Sequence, residues 1–105
     1  MIDWDRILEL QAEVGEEAIV EVIGIFLEEM GEGLDALAGL SDPRDIADKL
    51  HFLKGSAQNI GLTVTTDLCQ RLEAEIRVDP SVRPDMPALR ASLDDARGEL
   101  TALAG

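Results

Sequence analysis

A chain of 105 residues is long enough to bury one compact core without disulfides or a structural metal. Its net charge of −13 argues against nucleic acid as a partner, because neutralising phosphates needs a basic surface. Cys69 is the only cysteine, which excludes an internal disulfide, and with one histidine available it leaves no Cys/His set for a metal.

The apolar residues are mainly Leu, Ala, Ile and Val, with two Phe, one Trp and no Tyr, a balance that favours helices over sandwich strands. Asp3 and Asp5 occupy the first turn and charge interrupts every longer apolar stretch, so neither a signal peptide nor a membrane span is expected. A cytoplasmic protein follows, in reducing surroundings that suit a lone thiol.

Asp3 is placed to cap a short first helix in which Trp4, Ile7, Leu8 and Val14 recur at helical spacing before Gly15, forming a lid on the core. From Glu16 to about Leu40 a long second helix is expected, with Ile19, Val22, Ile23, Phe26, Leu27, Met30, Leu34 and Leu37 on one face and glutamates on the other. Those glutamates either keep the chain soluble or steer partners.

Ser41-Asp42-Pro43 breaks the pattern and restarts it, with Asp42 as N-cap and Pro43 at the first helical position of a third helix that ends near Gly61. A fourth helix of residues 63–78 carries Leu68, Cys69, Leu72 and Ile76, the cysteine serving as a core residue rather than a redox centre. After the loop of residues 79–85, Met86, Leu89, Leu93, Ala96, Leu100 and Leu103 mark a final helix. Short connections between amphipathic helices predict an all-α fold, an antiparallel up-and-down four-helix bundle with a short additional N-terminal helix, as a single domain over residues 1–105. One-face helices favour a monomer.

Charge is unevenly spread: residues 1–42 hold twelve acids against one base, Arg6, whereas residues 43–77 hold five of each. The cations of that neutral segment cluster in sequence around the only histidine, His51, although any one of them could simply balance a carboxylate at i,i+4.

At about 100° per residue, Ile46, Leu50, Leu53, Ala57 and Ile60 point within roughly 40° of one direction, the core face, and His51 points roughly 140° away. Arg44, Asp48, Gly55 and Gln58 share its outer side, with Lys54 at roughly 80° within reach of the imidazole's surroundings. Gly55 costs a helix about 1 kcal/mol relative to Ala where no packing demands it, which points to a close approach to the backbone there. An exposed imidazole fits nucleophilic use: its neutral form has a nitrogen lone pair that can take a phosphoryl group and release it again.

The run Leu50-His51-Phe52-Leu53-Lys54-Gly55-Ser56-Ala57, then Gly61-Leu62, then Leu68-Cys69-Gln70-Arg71-Leu72-Glu73 closely resembles histidine-containing phosphotransfer (HPt) domains. The resemblance implies His51 as phosphoacceptor through Nε2, Lys54 beside the phosphoryl oxygens, and Gly55 as the gap that admits a receiver domain. Ser56 completes the motif, with Gln58, Arg71 and Arg77 as possible supporting residues, Arg77 standing where some members carry a basic residue reaching toward the site. It further implies reversible transfer between His51 and a receiver aspartate, with a sensor or hybrid histidine kinase upstream. Mg²⁺ and most catalytic groups would come from the receiver, so the chain needs no cofactor or metal of its own.

Nothing resembles an ATP-binding kinase module, since no Gly-rich phosphate loop is present. An acyl carrier protein is the first competitor, but Gly33-Leu34-Asp35-Ala36-Leu37 has Ala where the prosthetic group's Ser must stand. A helical adaptor without chemistry and the phosphoacceptor domain of a chemotaxis-type kinase are the others, and a chain of this length favours a stand-alone carrier over the latter.

Overall fold

The computed structural model describes residues 1–103, which form five α-helices: α1 (Trp4–Val14), α2 (Ile19–Ala38), α3 (Pro43–Asn59), α4 (Thr63–Val78) and α5 (Met86–Leu100). A 3-10 turn over Thr101–Leu103 follows. Among the described residues there is no strand, only an isolated antiparallel bridge between Ile2 and Leu62.

The helix starts follow from capping chemistry. Asp3, Asp42 and Asp85 each accept a backbone N–H of their helix's first turn, from Arg6, Arg44 and Ala88, satisfying donors that would otherwise be unpaired. The second helix begins at Ile19 rather than Glu16, because Gly15 at φ +92° reverses the chain and residues 16–18 complete the turn.

Helices α2 and α3, α3 and α4, α4 and α5, and α5 and α2 pack in a ring, with α3 and α4 the most closely joined pair. The pairings fix the directions. Asp35 near the end of α2 bonds Arg90 near the start of α5, and Asp48 early in α3 meets Arg77 late in α4, so these neighbours run antiparallel as expected. The result is a rod of 44 × 19 × 18 Å.

One apolar core runs down the rod, from Ile19, Ile23, Leu27, Met30, Leu34 and Leu37 of α2 to Leu89, Leu93, Ala96 and Leu100 of α5. The α3 residues expected to face inward, Ile46, Leu50, Leu53, Ala57 and Ile60, are all buried. Val22, Phe26, Leu68 and Met86 are only partly buried, the last three packing against the core from its margin. Leu103 was expected on the α5 stripe; its side chain lies outside the described residues.

The stripe predicted for α1 requires correction. Ile7 and Leu10 are buried, while Trp4, Leu8 and Val14 are exposed, because α1 touches the bundle along one narrow line rather than a broad face. It is fastened by polar bonds instead. Arg6 donates from Nε to the Asn59 carbonyl at 2.8 Å and from Nη2 to Asn59 Oδ1 at 2.9 Å, capping the end of α3. Asp3 N–H donates to the Gly61 carbonyl, and a Cβ at Gly61, whose φ is +71°, would stand 2.8 Å from the Asp3 carbonyl oxygen. Only glycine fits that close approach.

Candidate functional site

Midway along α3, His51 is 65% exposed on its side chain, with Leu50 and Leu53 behind it in the core. The helical period that buries those two leucines turns the imidazole outward. A shallow open groove runs past it, lined by His51, Phe52, Gly55, Ser56 and Asn59 of α3 and by Phe26 of α2. A Cβ built on Gly55 would meet nothing within 4 Å. No neighbour in the bundle requires the glycine, and the surface above it is bare.

On its other flank His51 meets α4. Its Nδ1 lies 3.2 Å from Glu73 Oε1, and Glu73 Oε2 accepts from Arg77 Nε at 3.0 Å. Arg77 Nη2 also reaches Glu73 Oε2 at 3.0 Å and Asp48 Oδ1 at 3.3 Å, back on α3. Burial alone would raise the Glu73 carboxyl, but hydrogen bonds from Arg77 and His51, together with their charges, hold it below the usual carboxylate range. Bonded to Glu73 and Asp48, the Arg77 guanidinium is driven further toward its charged form.

A carboxylate only accepts, so the proton of the His51–Glu73 bond resides on Nδ1. In the neutral ring the lone pair is then on Nε2. The arrangement presents an exposed nitrogen nucleophile with its tautomer set from behind.

The residues singled out from the sequence divide into three groups. His51, Gly55 and Ser56 line one groove, and Lys54, half-buried one turn from His51, makes no ion pair among the described residues. Arg77 reaches the imidazole only through Glu73. Gln58 lines a separate groove with Asp3, Thr66 and Asp67, and Arg71 faces Glu75 at 4.0 Å on the outer side of α4, so neither is brought to His51.

Sequence reasoning missed Glu73 and Phe26 as neighbours of the site; it placed Asp48 on the outer side of α3 with His51 but did not read its bond to Arg77. It placed cations around the imidazole, whereas its charged contact is a carboxylate. The Glu73/Arg77 pair at i,i+4 was readable as a pair, but its meeting with His51 depends on the register of α4 against α3. Phe52, 63% exposed beside His51 with Lys49 Nζ 5.1 Å from its ring centroid, was readable from the wheel as an outward aromatic.

Among the described residues, no cluster of three His, Cys, Asp or Glu side chains could hold a metal ion, and no helix is long and apolar enough to cross a membrane. Comparison with curated proteins and with solved structures finds no match. The model of one family, the Hpt domain, matches residues 21–104, taking in all but the first two residues of α2 and the whole of α3 to α5, with His51 and Glu73. The chain therefore belongs to the Hpt domain family, whose members are phosphotransfer intermediates and not kinases.

Proposed function

We propose that this protein is a phosphorelay carrier in which His51 takes a phosphoryl group from the aspartyl phosphate of one receiver domain and passes it to another. The observation that carries this reading is the exposed imidazole whose Nδ1 is held by Glu73 beside the open backbone at Gly55.

In the transfer, the bond between phosphorus and the aspartate oxygen breaks as the Nε2 lone pair forms a phosphorus–nitrogen bond. The leaving group is a carboxylate and needs no proton. The ring keeps its Nδ1 proton and becomes cationic, and the Glu73 carboxylate stands ready to offset that charge. Reversal expels the neutral imidazole, so the same geometry serves both directions.

Lys54, unpaired among the described residues, supplies its ammonium to the phosphoryl oxygens. Gly55 lets the receiver come close, and Phe26, Phe52 and Ser56 form the floor of the groove it covers. Mg²⁺ and the remaining catalytic groups belong to the receiver. A sensor or hybrid histidine kinase feeds the relay, which operates in the cytoplasm. Helix α1, outside the family match but fastened by Arg6 to the end of α3, belongs to the same working unit.

The test is incubation with a phosphorylated receiver domain and Mg²⁺, following acid-labile, base-stable phosphate on the wild type and on His51→Gln. Label on the wild type alone is the expected result. No label from a panel of receivers, on a folded protein, would return the chain to the class of helical adaptors.

A further inference from the structure

The ion-paired residues of α3 and α4 form a closed loop: Asp48 to Arg77, Arg77 to Glu73, and Glu73 to His51, three residues along α3 from Asp48. The geometry points to Arg77 as a positioning residue for phosphoryl acceptance, one that never touches the reacting nitrogen but holds Glu73 so that His51 Nε2 stays free. This inference rests on the carrier reading above and adds to it the residue that governs which ring nitrogen reacts.

An Arg four residues after a Glu on a helix is ordinarily a solvated pair worth a few tenths of a kcal/mol. Enclosure sets this one apart. The Glu73 side chain is 13% exposed, whereas every other ion-paired carboxylate among the described residues is at least 48% exposed. A carboxylate so enclosed has few water partners, and its orientation is decided by the protein groups around it.

Those groups divide its two oxygens. Both Arg77 nitrogens converge on Oε2, which leaves Oε1 for the imidazole. Arg77 is in turn anchored by Asp48 to the helix that carries His51, so a shift of α4 along α3 would strain the whole loop. Without Arg77, Oε2 would lack its partner, and the carboxylates of Glu73 and Asp48 would face the approaching phosphoryl dianion uncompensated. Glu73 would then turn toward solvent, releasing the Nδ1 proton to redistribute between the two ring nitrogens.

Arg77→Gln, Arg77→Lys and Glu73→Gln in the full chain test this without a protein partner. Nitrogen-15 NMR of the His51 ring reads the tautomer, and phosphoramidate serves as a small donor. In that reaction the phosphorus–nitrogen bond to departing ammonia breaks, a bond from phosphorus to a ring nitrogen forms, and the position of the adduct identifies the nucleophile.

The wild type should show Nδ1–H and phosphorylate on Nε2. Arg77→Gln, which leaves an exposed side chain exposed and keeps the fold, should mix the tautomers, slow the reaction about three- to tenfold and yield some Nδ1 adduct. Arg77→Lys should restore much of the wild-type pattern, and Glu73→Gln should reproduce the defect. An unchanged tautomer and an unchanged adduct position in Arg77→Gln would overturn the assignment, as would slower reaction with the tautomer intact, which would mean that Arg77 acts on the phosphoryl group directly. Failure of all receivers to label the wild type would instead remove the carrier reading, while the tautomer and the phosphoramidate product would still decide the role of Arg77.

Discussion

Gly33 of α2 and Leu53 of α3 meet in close contact: a Cβ on Gly33 would stand 2.5 Å from Leu53 Cδ2. Leu53 is buried two residues from His51, so this contact sets how deeply the helix bearing the imidazole sits against α2. Gly33→Val should destabilise the protein by about 2 kcal/mol through overpacking, although valine is the better helix former. Leu53→Ala alone should cost about 3 kcal/mol. In the double variant the valine partly fills the vacated space, and urea denaturation should show a total well below the sum of the two. Strict additivity would mean that the helices separate instead of repacking.

Gly55 faces the opposite situation, with open space where its Cβ would be. Gly55→Ala should raise stability by up to about 1 kcal/mol, the ordinary helix-propensity gain. Gly55→Trp should melt within a few degrees of the wild type yet exchange phosphoryl groups with a receiver at least about tenfold more slowly, because the indole occupies the approach. Equal transfer rates in the two variants would remove Gly55 from the docking surface.

The depressed Glu73 carboxyl gives stability a defined acid dependence. A carboxyl held below its unfolded value of 4.5 contributes stability that is fully present above that pH and lost as pH falls through the lower folded value. Glu73→Gln should therefore be less stable than the wild type near neutrality, by on the order of 1 kcal/mol. The difference should shrink below about pH 4.5, and melts of both proteins across pH 3 to 7 check it. A gap that persists to pH 3 would assign the loss to packing rather than to charge.

Cys69 is fully buried, and burial first, then the nearby Glu73 charge, pushes its thiol up to about 11. The fold keeps the thiol neutral, so the stability it lends is intact below the unfolded value of 9.0 and declines as pH rises toward 11. A thiol reagent such as iodoacetamide at pH 8 should leave the native protein almost unmodified and react readily in denaturant. Rapid native labelling would mean that α4 opens locally from the bundle.

Much of the architecture was legible because it follows from local rules. Asp42-Pro43 announces the start of α3 through capping chemistry, and the spacing of Leu50, Leu53 and Ala57 fixes which face is buried. That same period turns His51 outward, so the candidate site was visible on a wheel. The failures have physical causes as well. Trp4 and Leu8 have helical spacing, but spacing cannot say whether a partner surface exists on that side, and α1 has one only along Ile7 and Leu10. Thr65 and Ser92 are buried polar residues that no apolar pattern predicts. The Ser92 hydroxyl donates to the Leu89 carbonyl, so Thr65 donates to Ser92 at 2.8 Å and the pair is satisfied across α4 and α5.

Local spacing settled the helices, the inner faces of α2 to α5 and the exposed imidazole beside a glycine, since each depends on residues within a turn or two of one another. Tertiary structure alone decided that Glu73, 22 residues from His51, bonds its Nδ1, and that Arg77 ties that bond back to Asp48. Such contacts depend on the axial register of two packed helices, set by how Leu50, Leu53, Leu72 and Ile76 interlock in the core, and no local spacing carries that information.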